Sequence, residues 1–170
     1  MKVRIISAAV GIPLLLLLLM AAPTIVTAVV WGLLLALAVY ELLYMTGLVR
    51  EPRLVIHAAV MAFAISIWSH YDSIQAFGLI GLMIFVGILF CEMMLSHVKV
   101  SFEKVCLCVM AGFVVPYLLS SLVRILVMSR IGRYMVLIPF IVAFGSDAGA
   151  YFAGRFFGQH KLAPDRKSVV

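Results

Sequence analysis

Long apolar runs, broken at short intervals by charge, proline or glycine, dominate this chain. A helix needs about 20 apolar residues to cross the hydrocarbon core of a bilayer. Six runs approach that length, at roughly 5 to 22, 24 to 46, 54 to 71, 74 to 95, 105 to 128 and 134 to 157. The first two meet at Pro23 and Thr24, and the short polar knot "SHYDSIQ" separates the third from the fourth. Connections this tight predict antiparallel helical hairpins. The pattern therefore predicts an all-α integral membrane protein of about six transmembrane helices. Residues 1–170 read as one polytopic membrane domain, with a cytoplasmic tail at 159–170.

Composition excludes an ordinary soluble domain, because 66% of the residues are hydrophobic and only 12% are charged, where about half apolar is usual. Thirteen Lys and Arg against seven Asp and Glu give a formal net charge of +6. In a membrane protein that excess is placed in cytoplasmic loops and against anionic headgroups, so no nucleic-acid partner is read from it. With the N-terminus cytoplasmic, Arg124, Arg130 and Arg133 fall on the far side and the other ten basic residues on the near side. This predicts a multi-pass protein of the inner or plasma membrane, N-in and C-in. The discordant connection "SRIGR" would count inward if the fifth span were re-entrant, and both arrangements stay open. The start "MKVRIISAAVGIPLLLLLLMAAP" has the form of a signal peptide, but the long apolar runs after it favour an uncleaved first span. Cys91, Cys106 and Cys108 lie in apolar runs without metal-ligand spacing.

Ionisable groups inside a span are costly and normally face a cavity, a partner or the interface. Glu41 falls late in the second run, Glu92 late in the fourth and Asp147 past the middle of the sixth. In an N-in topology all three lie in the cytoplasmic half of the bilayer, which points to one polar site opening inward. The alternative for Glu41 and Glu92 is that each reaches the headgroups from a helix end.

Residues four apart on a helix lie nearly above one another, and sorting the last run by such rows separates its faces. Asp147, Tyr151 and Arg155 form a polar row. Beside it lie two small rows, Ser146, Ala150, Gly154, Gly158 and Gly145, Gly149, Ala153. The spacings Gly145-x3-Gly149 and Gly154-x3-Gly158 allow close helix packing. Ordinary packing, with Asp147 paired to Arg155 or Arg124, competes with a functional cavity.

The stretch "SDAGAYFAGRFFGQHKLAP", residues 146 to 164, resembles the phosphatidate cytidylyltransferases, also called CDP-diacylglycerol synthases. That family carries a segment of the form S-D-x-G-A-Y-x-x-G-R/K-x-x-G-K/R-H-K-L-x-P. The opening "MKVRIISAAVGIPL" and Glu41 after "LALAVY" are also similar to the family. The resemblance implies transfer of a cytidylyl group from CTP to phosphatidate in phospholipid biosynthesis, with CTP, phosphatidate and membrane lipids as partners. It implies Mg²⁺ or another divalent cation to neutralise the triphosphate. It places Ser146, Asp147 and Tyr151 in a polar cavity, with Arg155, His160 and Lys161 at its cytoplasmic mouth. No catalytic residue and no metal ligand is assigned, since Asp147 fits a ligand and a supporting role equally.

After Pro164 the chain reads "DRKSVV" where the family has S-P-K-K-T-x-E-G, and the family's C-terminal signature with H-G-G and D-R-x-D elements is absent. The expectation is a truncated, N-terminal portion of such an enzyme, inactive alone. The alternative is a non-catalytic scaffold or partner subunit that associates through the small-residue face, including as a homo-oligomer. A small transporter using Asp147 is disfavoured by the family match.

Overall fold

The computed structural model describes residues 2–71, 77–95, 100–128 and 131–157, and these are helical with no strand among them. The elements in chain order are α1 (Lys2–Ala21), α2 (Thr24–Tyr40), α3 (Pro52–Trp68), α4 (Gly78–Leu95), α5 (Phe102–Val109), α6 (Val115–Leu119), α7 (Ser121–Met128), α8 (Gly132–Met135) and α9 (Leu137–Phe157). Wide π-type turns continue α2 over Glu41–Met45 and join α5 to α6 over Met110–Val114. Four segments are long and apolar enough to cross a membrane: Thr24–Met45, Gly78–Leu95, Phe102–Met128 and Gly132–Phe156. Gly11–Ala21 and Pro52–Trp68 are shorter apolar helices. Their outward faces carry Leu17, Leu33, Val60, Leu79, Met83 and Ile141, all exposed. The chain is a multi-span membrane protein. The Asp72–Gln75 connection, Gly158 and the 159–170 tail lie outside the described residues.

The α2–α3 pair organises the bundle. Gly47, at φ +76°, turns the chain out of the wide turn, a backbone state that glycine adopts without steric cost. The Val49 N–H then donates to the Leu43 carbonyl at 2.9 Å. Pro52 starts α3 where its missing N–H costs no helical bond. Farther along the pair, the buried Ser66 hydroxyl donates to the Ala28 carbonyl at 2.8 Å. Phe63 packs where a side chain on Gly32 would stand. Leu35, Val39, Leu43, Val55, Ala58 and Ala62 bury the seam between these helices, and Phe85 and Leu89 of α4 and Val105, Cys108 and Ala111 close the same core.

The fifth apolar run is not one regular helix. Pro116 has no N–H for the carbonyl one turn back and its ring crowds that carbonyl, and the backbone widens into the π-type turn just before it. Such turns relieve a local clash at the expense of helix regularity. Gly112 sits within this turn against α3, where a Cβ would meet the Ala58 backbone at 2.9 Å. The chain breaks again at the buried Ser120. Carbonyls freed there find donors from elsewhere: Trp31 Nε1 donates to Leu119 at 3.2 Å and Arg124 Nη2 to Tyr117 at 2.8 Å.

The end of α1 is held in the same manner. The last four carbonyls of a helix lack partners of their own. Arg133 donates to Met20 at 2.7 Å and to Ala22 at 3.2 Å, while Thr27 Oγ1 donates to Leu18 at 3.2 Å. Leu19, Leu126 and Val136 pack beneath these bonds as a second, smaller core. α9 leaves from this cluster, and along its later turns it stands clear of the other described helices, with residues 141–156 exposed.

Candidate functional site

The C-terminal half of α9 carries most of the residues that the sequence singles out. The polar row is realised at one step: Arg155 Nη1 donates to the Tyr151 hydroxyl at 3.3 Å. Arg155 occupies the last turn of α9, where a cation meets the negative end of the helix dipole. Asp147 lies on the same side but eight residues earlier, roughly 12 Å along the axis. It makes no ion pair with Arg155 among the described residues. Nor does Arg124 meet it, because that guanidinium turns to Ser69 and Tyr117. Ser146 bonds back within the helix, donating to the Ala143 carbonyl at 2.9 Å. Gly145, Gly149 and Gly154 face open space. The small rows therefore have no described helix packed on them. His160, Lys161 and Gly158 lie outside the described residues.

Glu41 and Glu92 belong to the main bundle. Glu41 is the exposed first residue of the wide turn after α2, flanked by Tyr40 and Tyr44, whose rings stack at 5.3 Å. Glu92 is half-buried near the end of α4. Their neighbours Leu43 and Leu89 share one core, so the two acids sit toward the same end of the bundle. Among the described residues, no three His, Cys, Asp or Glu gather closely enough to hold a metal ion. The described carboxylates do not by themselves make a divalent-cation site.

A charged pair absent from the sequence reading lies at that end of the bundle too. Lys104 Nζ stands 2.6 Å from Glu51 Oε1, with both side chains about a quarter exposed, 29% and 27% respectively. Burial pushes the Glu51 carboxyl up, but the Lys104 hydrogen bond and charge, with backbone N–H bonds, outweigh it and hold the group below its ordinary value. Glu51 Oε2 is buried with no hydrogen-bond partner among the described residues. The two residues are 53 positions apart, and no local spacing announces them.

An exposed guanidinium linked to a phenol at a helix end can hold phosphate oxygens, since arginine presents several donors in a rigid fork. That chemistry agrees with the comparison to known proteins: the profile of the cytidylyltransferase family matches residues 2–167. The chain belongs to the cytidylyltransferase family. This corrects the expectation of an N-terminal portion only, because the family match runs through nearly all of the chain and past Pro164 into Asp165, Arg166 and Lys167. The departure after "KLAP" is thus variation inside the matched region. A phosphatidate cytidylyltransferase of Haemophilus influenzae is 52% identical over 33 residues, which is 19% of this chain and 12% of that protein. No solved structure matches this cytidylyltransferase-family chain.

Proposed function

We propose that this chain serves cytidylyl transfer from CTP to phosphatidate at the membrane surface. The observation that carries this reading is the family match over residues 2–167, joined to the Asp147, Tyr151, Arg155 row on an exposed helix. In the reaction a phosphate oxygen of phosphatidate attacks the α-phosphorus of CTP. A new P–O bond forms, the bond to the β-phosphate breaks, and pyrophosphate leaves with the electron pair. Arg155, steadied by Tyr151, holds phosphate charge as it develops on the transferring group. Lys161 and His160 add donors from the segment that follows, and Asp147 extends the row one turn before Tyr151. We assign the chain an N-in, C-in hairpin arrangement in the inner or plasma membrane, with Glu41 and Glu92 in the main bundle rather than beside the α9 row. A divalent cation would supply triphosphate neutralisation when bound, and the described residues gather no ligand set for it.

The test is reconstitution of the full chain into phosphatidate-containing vesicles with labelled CTP and Mg²⁺, followed by extraction of CDP-diacylglycerol. Product above the protein-free blank that falls at least about tenfold in Arg155→Ala supports the assignment, a loss in keeping with removal of one charge-stabilising donor. Absence of product, with no protection of the chain by CTP against lysine-acylating reagent, overturns it.

A second reading rests on a different observation. Gly145, Gly149 and Gly154 meet nothing within 4 Å, which leaves a close-packing surface unused in the described chain. In that reading the chain is a non-catalytic partner subunit that associates through α9.

A further inference from the structure

At the end of α3 away from the Glu51–Lys104 pair, a cavity of about 250 Å³ opens between α3, α4 and the broken helix that follows. Ile65, Trp68, Leu79, Leu82 and Phe113 give it an apolar lining, and Arg124 supplies a cation at its wall. The guanidinium is fixed on two sides. Arg124 Nη1 donates to the Ser69 hydroxyl at 3.0 Å and Nη2 to the Tyr117 carbonyl at 2.8 Å, with its central carbon 4.4 Å from the centre of the Tyr117 ring. A guanidinium has five N–H donors, so these two bonds set its position without exhausting it. Ser69 is 4% exposed, which makes the anchoring partner part of the interior rather than of a solvated surface. Leu79 and Tyr117 are exposed at the rim, so the cavity opens on the face of the bundle that lipid covers. The wall is close-packed on this side: the Trp68 ring lies where side chains on Gly78 and Gly81 would stand, at 3.0 Å from each.

Such a site joins a positioned cation to a greasy chamber at membrane depth, and the ligand that matches both halves is an anionic amphiphile. We propose that this cavity binds a phosphodiester lipid of the surrounding bilayer, with its phosphate on Arg124 and the first part of an acyl chain between Trp68, Leu79 and Leu82. The lipid is a bound structural partner, and none of the α9 polar row lines its site. A free phosphate shares the headgroup chemistry but leaves the apolar walls without a partner, so the lipid is the assigned source.

Trp68 reports occupancy directly, because the chain has only two tryptophans and Trp31→Phe leaves Trp68 as the single emitter. The full-length chain is placed in phosphatidylcholine nanodiscs containing a minor fraction of either brominated phosphatidylglycerol or brominated phosphatidylcholine. Excess quenching of Trp68 by the anionic lipid is expected, corresponding to roughly fivefold enrichment, the scale of one cation against an anionic lipid. Arg124→Gln removes the excess, Arg124→Lys keeps part of it, and Leu82→Phe reduces it by filling the chamber while the cation stays. Unbrominated phosphatidylglycerol competes it away. Equal quenching by both lipids overturns the proposal. Loss of the excess to inorganic phosphate overturns the lipid assignment in favour of a free anion. Asp72 follows Ser69 by three positions and lies outside the described residues; if Asp72→Asn alone abolishes the excess as Arg124→Gln does, Arg124 serves an internal ion pair and the proposal fails.

Discussion

Lys104 and Glu51 meet at 2.6 Å, tying the first turn of α5 to the residue that opens α3. Because Glu51 titrates below its ordinary range, its contribution to stability has a defined sign. It is full at pH values above the ordinary carboxylate range, near 4.3 for glutamate, and is lost as pH falls through the lower folded value. Glu51→Gln is expected to cost about 1 kcal/mol at neutral pH, as for a partly screened pair, and to flatten the acid side of the stability profile. Thermal unfolding in detergent between neutral and acid pH checks both. An unchanged acid limb would assign the acid sensitivity to other carboxylates.

Gly112 and Gly87 should respond in opposite directions to the same change. A Cβ on Gly112 meets the Ala58 backbone and side chain at 2.9 Å, whereas one on Gly87 meets nothing within 4 Å. Gly112→Ala is expected to separate α3 from the wide turn and cost on the order of 1–3 kcal/mol. Gly87→Ala is expected to be neutral or to stabilise by up to about 1 kcal/mol through helix propensity. Paired unfolding curves of the two variants decide it, and equal destabilisation would argue against a tight approach at Gly112.

This contrast marks how far the sequence could be read. Apolar run length located the helices, because length against bilayer thickness is a one-dimensional property that survives folding. It read 105 to 128 as one span, in keeping with Phe102–Met128 being long and apolar enough to cross, but the irregular backbone before Pro116 and at Ser120 was not legible, since mean hydropathy does not register a missing N–H. The row Asp147, Tyr151, Arg155 was legible through helical periodicity, and the Arg155–Tyr151 bond follows from it. An Asp147–Arg155 pair does not, since two turns of rise separate them. The Arg124 cavity was not legible: Trp68, Leu82, Phe113 and Arg124 come together only through tertiary packing. Its one sequence signal was that Arg124 fell on the side opposite the majority of the basic residues.

Arg133 holds two carbonyls at the end of α1, and its removal should loosen that end more than the bundle. Arg133→Met is expected to raise amide exchange of the residues ending α1 by about tenfold, equivalent to roughly 1.4 kcal/mol, close to the lower end for bonds to a charged donor. Exchange in α3, at Ala58 and Ala62, should stay unchanged, since these residues lie in the other core. Hydrogen exchange resolved by peptide reads both. Uniform acceleration would mean that the two cores unfold together.

Gly149 separates the two readings of α9. It faces open space in the described chain, so a leucine there fits the monomer without strain and leaves the Arg155–Tyr151 bond one turn on in place. If a second helix packs on this face, Gly149→Leu holds the backbones apart, because close approach there depends on small residues. Association measured by crosslinking or energy transfer in bilayers should then weaken by about tenfold, while Phe152→Leu, on another row, leaves it unchanged. If the chain works through its polar row alone, Gly149→Leu retains CDP-diacylglycerol formation and Arg155→Ala loses it. A loss of product in Gly149→Leu together with dispersal of the assembled chain would make the small face part of the catalytic unit, with a second α9 supplying the wall that a single copy leaves open.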